Sequence, residues 1–80
     1  TASSIDHESL IDEGTHISPG VNIAGNVKIG KRSLIGIGSK IIQNISIGND
    51  VIVGAGSLVL DNIPSNFKVY GSPAKIIKKN

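Results

Sequence analysis

Eighty residues with a formal charge of +2 at pH 7, one Phe, one Tyr and no Trp, Met or Cys offer few large side chains with which to fill an ordinary core of that size. Disulfides and thiolate metal sites are excluded, two His are too few for a structural zinc, and the lysines at 75, 78 and 79 are too local a charge for a nucleic-acid surface. No apolar run approaches membrane-spanning length, and no secretory signal is visible, an absence that carries little weight in a chain whose first residues already sit inside a repeat; the location expected is cytoplasmic.

Along the chain Ile5, Ile11, Ile17, Ile23, Ile29, Ile35, Ile41, Ile47, Val53 and Val59 recur every six residues without a gap. Six fits neither a helical stripe nor one ordinary amphipathic strand, so each unit is a short strand plus a bend. Four positions after each of them stands a small or β-branched residue: Ser9, Thr15, Val21, Val27, Ser33, Ser39, Ile45, Val51, Ser57 and Ile63. Both sets face inward. Between them fall residue pairs such as Glu13-Gly14, Pro19-Gly20 and Gln43-Asn44; eight of the ten pairs contain Gly, Pro, Asn or Asp, which marks them as corners. Three hexads close a triangular coil of 18 residues, and each strand then bonds to the one a coil later, at about 4.8 Å. A β-helix domain over residues 1–64 is expected, of about three coils, with 65–80 as a capping segment.

After Pro64 the beat stops. Phe67 and Tyr70, the only aromatics, read as the cap. Ser72-Pro73 has the form of a helix N-cap and first turn, which predicts a short helix over Ala74 to Lys79 with its cations near the C-terminal end.

Stacking by 18 sorts the corners into three columns. Glu13-Gly14, Lys31-Arg32 and Asn49-Asp50 form a charged one; His7-Glu8, Gly25-Asn26, Gln43-Asn44 and Asp61-Asn62 form a polar one. The third, Pro19-Gly20, Ile37-Gly38 and Ala55-Gly56, is smooth and uncharged. A long, thin ligand arm fits along it and can take hydrogen bonds from exposed amides, while turn geometry alone would equally account for its glycines. Beside it, His16, Leu34 and Ile52 on one side and Ala24, Ile42, Leu58 and Leu60 on the other make apolar outer columns that imply a partner. Two different faces meeting head to tail give a closed ring, most simply a trimer.

The stretches Ser4-Ile5-Asp6-His7-Glu8, Gly14-Thr15-His16-Ile17-Ser18-Pro19-Gly20, Ala24-Gly25-Asn26-Val27, Ile35-Gly36-Ile37-Gly38-Ser39, Val53-Gly54-Ala55-Gly56-Ser57 and Gly71-Ser72-Pro73-Ala74-Lys75 resemble the hexapeptide-repeat acyltransferases, in particular sugar acetyltransferases of the sialic acid O-acetyltransferase and bacillosamine N-acetyltransferase type. The resemblance covers nearly the whole chain. It implies an all-β, left-handed parallel β-helix, a hand that periodicity does not reveal. It also implies acetyl transfer from acetyl-coenzyme A to an amine or hydroxyl of a sugar or nucleotide sugar, without metal, by a homotrimer. Residue by residue, it makes His7 the general base, Glu8 the group that raises its basicity, and His16 a donor contact. Main-chain donor contacts fall on Ile37 and Ala55, with Gly38 and Gly56 beside them, and the family often has Gly where this chain has Ala55.

Chemically, a sugar amine is mostly protonated and a hydroxyl is a poor nucleophile, so an imidazole in reach supplies the missing step. His16 or the amide of Gly25 can donate to the thioester oxygen as charge develops there. Nine residues is half a coil, so His7 and His16 of one chain lie on different sides of the prism. The expected site therefore lies between subunits. Two alternatives stand beside it: a non-catalytic trimeric scaffold, and a β-helix zinc carbonic anhydrase, disfavoured because it needs three His ligands. Members of the family usually carry a small Rossmann-like domain before the β-helix, and such a domain is expected upstream.

Overall fold

The structure is a computed structural model and describes residues 3–6 and 8–79. From Leu10 to Gly56 each hexad folds as its composition dictates: two residues of extended chain ending in the Ile or Val of the repeat, then a two-residue bend. The strands are β1 (Ser4–Ile5), β2 (Leu10–Ile11), β3 (His16–Ile17), β4 (Asn22–Ile23), β5 (Lys28–Ile29), β6 (Leu34–Ile35), β7 (Lys40–Ile41), β8 (Ser46–Ile47), β9 (Ile52–Val53) and β10 (Leu58–Val59). Each of β1 to β7 pairs in parallel with the strand three places later, which gives three faces: β1-β4-β7-β10, β2-β5-β8 and β3-β6-β9. The register keeps the repeat in line, Ile5 on Ile23 on Ile41 on Val59 and Ile17 on Ile35 on Val53. The expected 18-residue coil is therefore present.

These aligned residues form the core. Ile23, Ile35, Ile41, Val53 and Val59 are buried together with Val21, Val27 and Val51 from the second inward position. Burial fades toward the first coil, where Ile5 is 43% exposed and Ile11 and Ile17 are half-buried.

At every described corner from residue 13 to 56 the second residue has a left-handed backbone: Gly14, Gly20, Asn26, Arg32, Gly38, Asn44, Asp50 and Gly56, with φ between 56° and 75°. Stacked corners are bonded to each other, for example Gly38 N–H to Pro19 C=O at 3.2 Å and Gly56 N–H to Ile37 C=O at 2.7 Å.

A second ladder explains why Ser and Thr occupy inward positions. The Ser33 hydroxyl donates to the carbonyl of Gly48 at 2.9 Å and accepts the amide of Val51 at 3.0 Å. Ser9 does the same with Ala24 and Val27, and Thr15 with Gly30 and Ser33. The hydroxyl thus stitches one coil to the next where a methyl would leave two polar groups unpaired. Ser33 is 2% exposed, so Ser33→Ala should cost about 1–3 kcal/mol, read as a shift in the denaturant midpoint at unchanged slope.

The C-terminal segment departs from expectation. Ala74 to Lys79 is not a helix but strand β12 (Ala74–Lys79), antiparallel to β11 (Phe67–Gly71), with Ser72-Pro73 in the turn between them. β11 in turn extends the β3-β6-β9 face by pairing in parallel with β9, Val69 on Val53. Six residues carry too few internal hydrogen bonds to stand as a helix, whereas strand pairing satisfies the backbone along an existing sheet and suits β-branched Ile76 and Ile77. The cap also differs in detail. Val69 is the residue that enters the core, at 2% exposure, and Phe67 packs against it, while Tyr70 stays 56% exposed on the outside. Among the described residues no helix is long and apolar enough to cross a membrane.

Candidate active site

The faces and corners fix where each candidate stands. The smooth column runs along the edge between the β3-β6-β9 face and the β1-β4-β7-β10 face; the polar column runs along the edge between the latter and β2-β5-β8. His16 projects from β3 beside Leu34, its register partner on β6, and is exposed. Glu8 and Gly25 lie on the polar edge, and Ile37, Gly38, Ala55 and Gly56 on the smooth edge. His7 lies outside the described residues. One chain thus gathers Ile37, Gly38, Ala55 and Gly56 next to the face that carries His16, and keeps Glu8 and Gly25 on another edge.

Two features single out the smooth edge. A left-handed backbone is needed at every corner, yet the other columns meet that need with Asn26, Asn44, Arg32 and Asp50 as well as glycine. Only the smooth column uses Gly throughout, at 20, 38 and 56, and a Cβ added at Gly38 or Gly56 would meet nothing within 4 Å. Turn geometry therefore accounts for the backbone but not for the bareness of this edge. The second feature is open amides. The smooth edge shares them with Gly25 and Gln43 of the polar edge, whose N–H groups also donate to no acceptor among the described residues, but not with the charged edge. On the charged edge the first-residue N–H groups are taken by side chains: Glu13 by Asp12 at 2.8 Å, Lys31 by Asn49 at 2.8 Å and Asn49 by Ser65 at 2.8 Å. On the smooth edge, Pro19 has no N–H, and those of Ile37 and Ala55 donate to no acceptor among the described residues. They stand one above the other, a coil apart, on a strip where Ile37 is 62% exposed. Two stacked donors on an open edge match the alternating carbonyls of an extended amide-containing chain.

On the polar edge, the Glu8 amide is held by the Asp6 carboxylate, Oδ1 accepting at 3.2 Å, and the same carboxylate abuts Gly25 in the next coil, where an added Cβ would lie 3.6 Å from it. Asp6 was not a candidate from sequence. Its signal is the Asp two residues before Glu8, the spacing of an Asp side chain that caps its own turn. Above it Asn26 donates to Asn44 at 2.9 Å, continuing the edge as a ladder of side-chain amides.

The charged edge is structural. Arg32 grips Asp50 through two bonds of 2.9 Å, and this hydrogen-bonded pairing lowers the Asp50 pKa and raises that of Arg32. A lowered carboxylate stabilises the fold above the ordinary Asp range, and that contribution fades as pH falls through the lowered value. Both groups are solvated, so the effect is small. Among the described residues no group of three or more His, Cys, Asp or Glu could hold a metal ion.

A hexapeptide beat, three parallel faces and glycine-lined corners define a three-sided parallel β-helix, the fold whose left hand the resemblance supplies. Residues 26–61, a little under half of the 80, match the family model described as bacterial transferase hexapeptide (six repeats). Among solved structures it is similar to PerB from Caulobacter crescentus in complex with CoA and GDP-perosamine, at 36% identity and TM-score 0.93, over 95% of this chain and 37% of that one. It is similar to the acetyltransferase domain of PglB from Neisseria gonorrhoeae in complex with acetyl coenzyme A, at 42% identity and TM-score 0.94, over 96% and 38%. Serine acetyltransferase from Neisseria gonorrhoeae matches at 30% identity and TM-score 0.94, over 99% and 34%. The chain thus spans 34–38% of the length of these three.

Proposed function

We propose that this chain is the donor-binding and catalytic β-helix of an acetyltransferase that moves acetyl from acetyl-coenzyme A to an amine or hydroxyl of a sugar or nucleotide sugar. The observation that carries this reading is the pair of stacked, unoccupied amides of Ile37 and Ala55 on a bare edge. An extended pantetheine arm presents amide carbonyls to two such donors, and Gly38 and Gly56 leave room for it. The likeness to PerB, a protein crystallised with CoA and a nucleotide sugar, supports the choice of donor and acceptor class.

In this reading His7 takes the proton of the attacking amine or hydroxyl as the new bond to the acetyl carbon forms, Glu8 stabilises the imidazolium, and the C–S bond breaks as the proton passes to the departing sulfur. His16, or the amide of Gly25, donates to the thioester oxygen as it gains charge. Transfer is direct in this reading: this chain has no Cys, and among the described residues no Ser is paired with a base in a triad arrangement.

The partner is a second and third copy of the chain. Outer residues Leu34 and Leu60 are each 40% exposed and Ile42 39%, on the two faces that flank the smooth edge. Joining one face of a protomer to the other face of its neighbour closes a ring of three, and it brings the polar edge with His7 to the His16 face next door. Co-assembling His7→Ala with His16→Ala subunits should restore activity that neither homotrimer has. A site built within one chain regains none, and a scaffold shows no activity or coenzyme A binding in any combination.

A further inference from the structure

Tyr70 lies at the far end of the smooth edge. Its strand, β11, is one coil above β9, so Tyr70 stacks directly over Gly54. A Cβ at position 54 would collide with the Cδ1 atom of the ring and lie 3.3 Å from Cγ. Glycine at 54 therefore lets the ring lie down on the sheet, immediately beside the free amide of Ala55. Even so the side chain is 56% exposed. An aromatic ring spread on the surface with one face open is a poor core element and a good platform for another flat group. Across the hairpin Tyr70 pairs with Lys75, and paired residues of antiparallel strands project from the same side, so an ammonium emerges next to the ring.

The distances along the prism suit one ligand. His16 on β3, β6, β9 and β11 are successive rungs of one face, so Tyr70 stands three rungs, about 14 Å, beyond His16. A donor whose thioester is at His16 and whose arm passes Ile37 and Ala55 delivers its other end, an adenine nucleotide, to this ring.

We propose that Tyr70 is the platform on which the adenine of the acyl donor stacks, with Lys75 beside it for a phosphate. This rests on the donor reading above and assigns its nucleotide end to a residue outside the hexad pattern. The test compares coenzyme A with 4′-phosphopantetheine, which has the arm and lacks the adenosine, by calorimetry on wild type, Tyr70→Leu and Tyr70→Phe. Leucine keeps bulk over Gly54 without an aromatic face, and phenylalanine keeps the face. Loss of one base–aromatic stack should weaken coenzyme A roughly 5- to 100-fold in Tyr70→Leu, leave Tyr70→Phe close to wild type, and leave phosphopantetheine affinity the same in all three. Because Tyr70 is the only Tyr in a chain without Trp, its fluorescence should also be quenched by coenzyme A and not by phosphopantetheine. Equal weakening of both ligands in Tyr70→Leu, or no weakening of either, overturns the platform while leaving the donor edge intact. Wild type that binds neither ligand overturns both.

Discussion

His7→Ala is expected to lower kcat by about 10²- to 10⁴-fold, the usual contribution of a positioned general base, or roughly 3–5 kcal/mol of barrier. Affinity for coenzyme A should change little, because the amides of Ile37 and Ala55 that hold the arm in this reading belong to a different edge of the prism. The pH profile separates loss of a base from loss of structure. An imidazole accepts a proton only when neutral, so wild-type kcat should fall on the acid side as that imidazole becomes charged, and the fall should flatten in the variant. A variant that loses donor binding together with turnover, or that keeps the acid limb, rules out His7 as the base.

Most of the scaffold was written in residue order. Ile or Val every six positions, with a small or β-branched residue four later, fixes both the inward set and the corner pairs, and the bends from residue 13 to 56 fall on the pairs so identified. The separation of Glu8 from His16 followed from arithmetic, since eight residues is close to half of an 18-residue coil. What could not be read was whatever depends on a partner distant in sequence. Ser72-Pro73 with trailing lysines has the local form of a helix start, and only the open edge of β9, filled by β11, makes residues 74–79 a strand. Val69 and Tyr70 are adjacent, and the pairing of Val69 with Val53 decides which turns inward. The amides of Ile37 and Ala55 are legible as candidates by resemblance alone, because their being unoccupied depends on which side chains reach across a corner. Asp12, Asn49 and Ser65 do so on the charged edge, and no side chain does so at Ile37 or Ala55 among the described residues. The serine ladder lies between these cases: inward small residues were expected, but their bonds to the next coil emerge only from the stacking.

Ile35→Ala should be among the most damaging substitutions available to this chain. Ile35 is fully buried, at 0% exposure, on the middle rung between Ile17 and Val53. Removing its side-chain carbons forfeits their transfer energy and leaves a void that neighbours held by register on both sides cannot close, a cost of about 2–5 kcal/mol. A domain of this kind has only about 5–15 kcal/mol in total, and with no disulfide and both aromatics in the capping segment nothing in the coils can take up the loss. In a stacked repeat each coil is stabilised by the next, so a defect in the middle uncouples two halves, while a defect at an end removes one half-formed rung. Ile5→Ala is the matched control: the same chemical change where the side chain is 43% exposed, expected to cost about 1 kcal/mol or less. Thermal melts at fixed protein concentration, as an associating chain requires, should place Ile35→Ala on the order of 10 °C or more below wild type and Ile5→Ala within a few degrees. Equal shifts for the two would mean that the column does not depend on its central rung, and that the coils contribute to stability independently of one another.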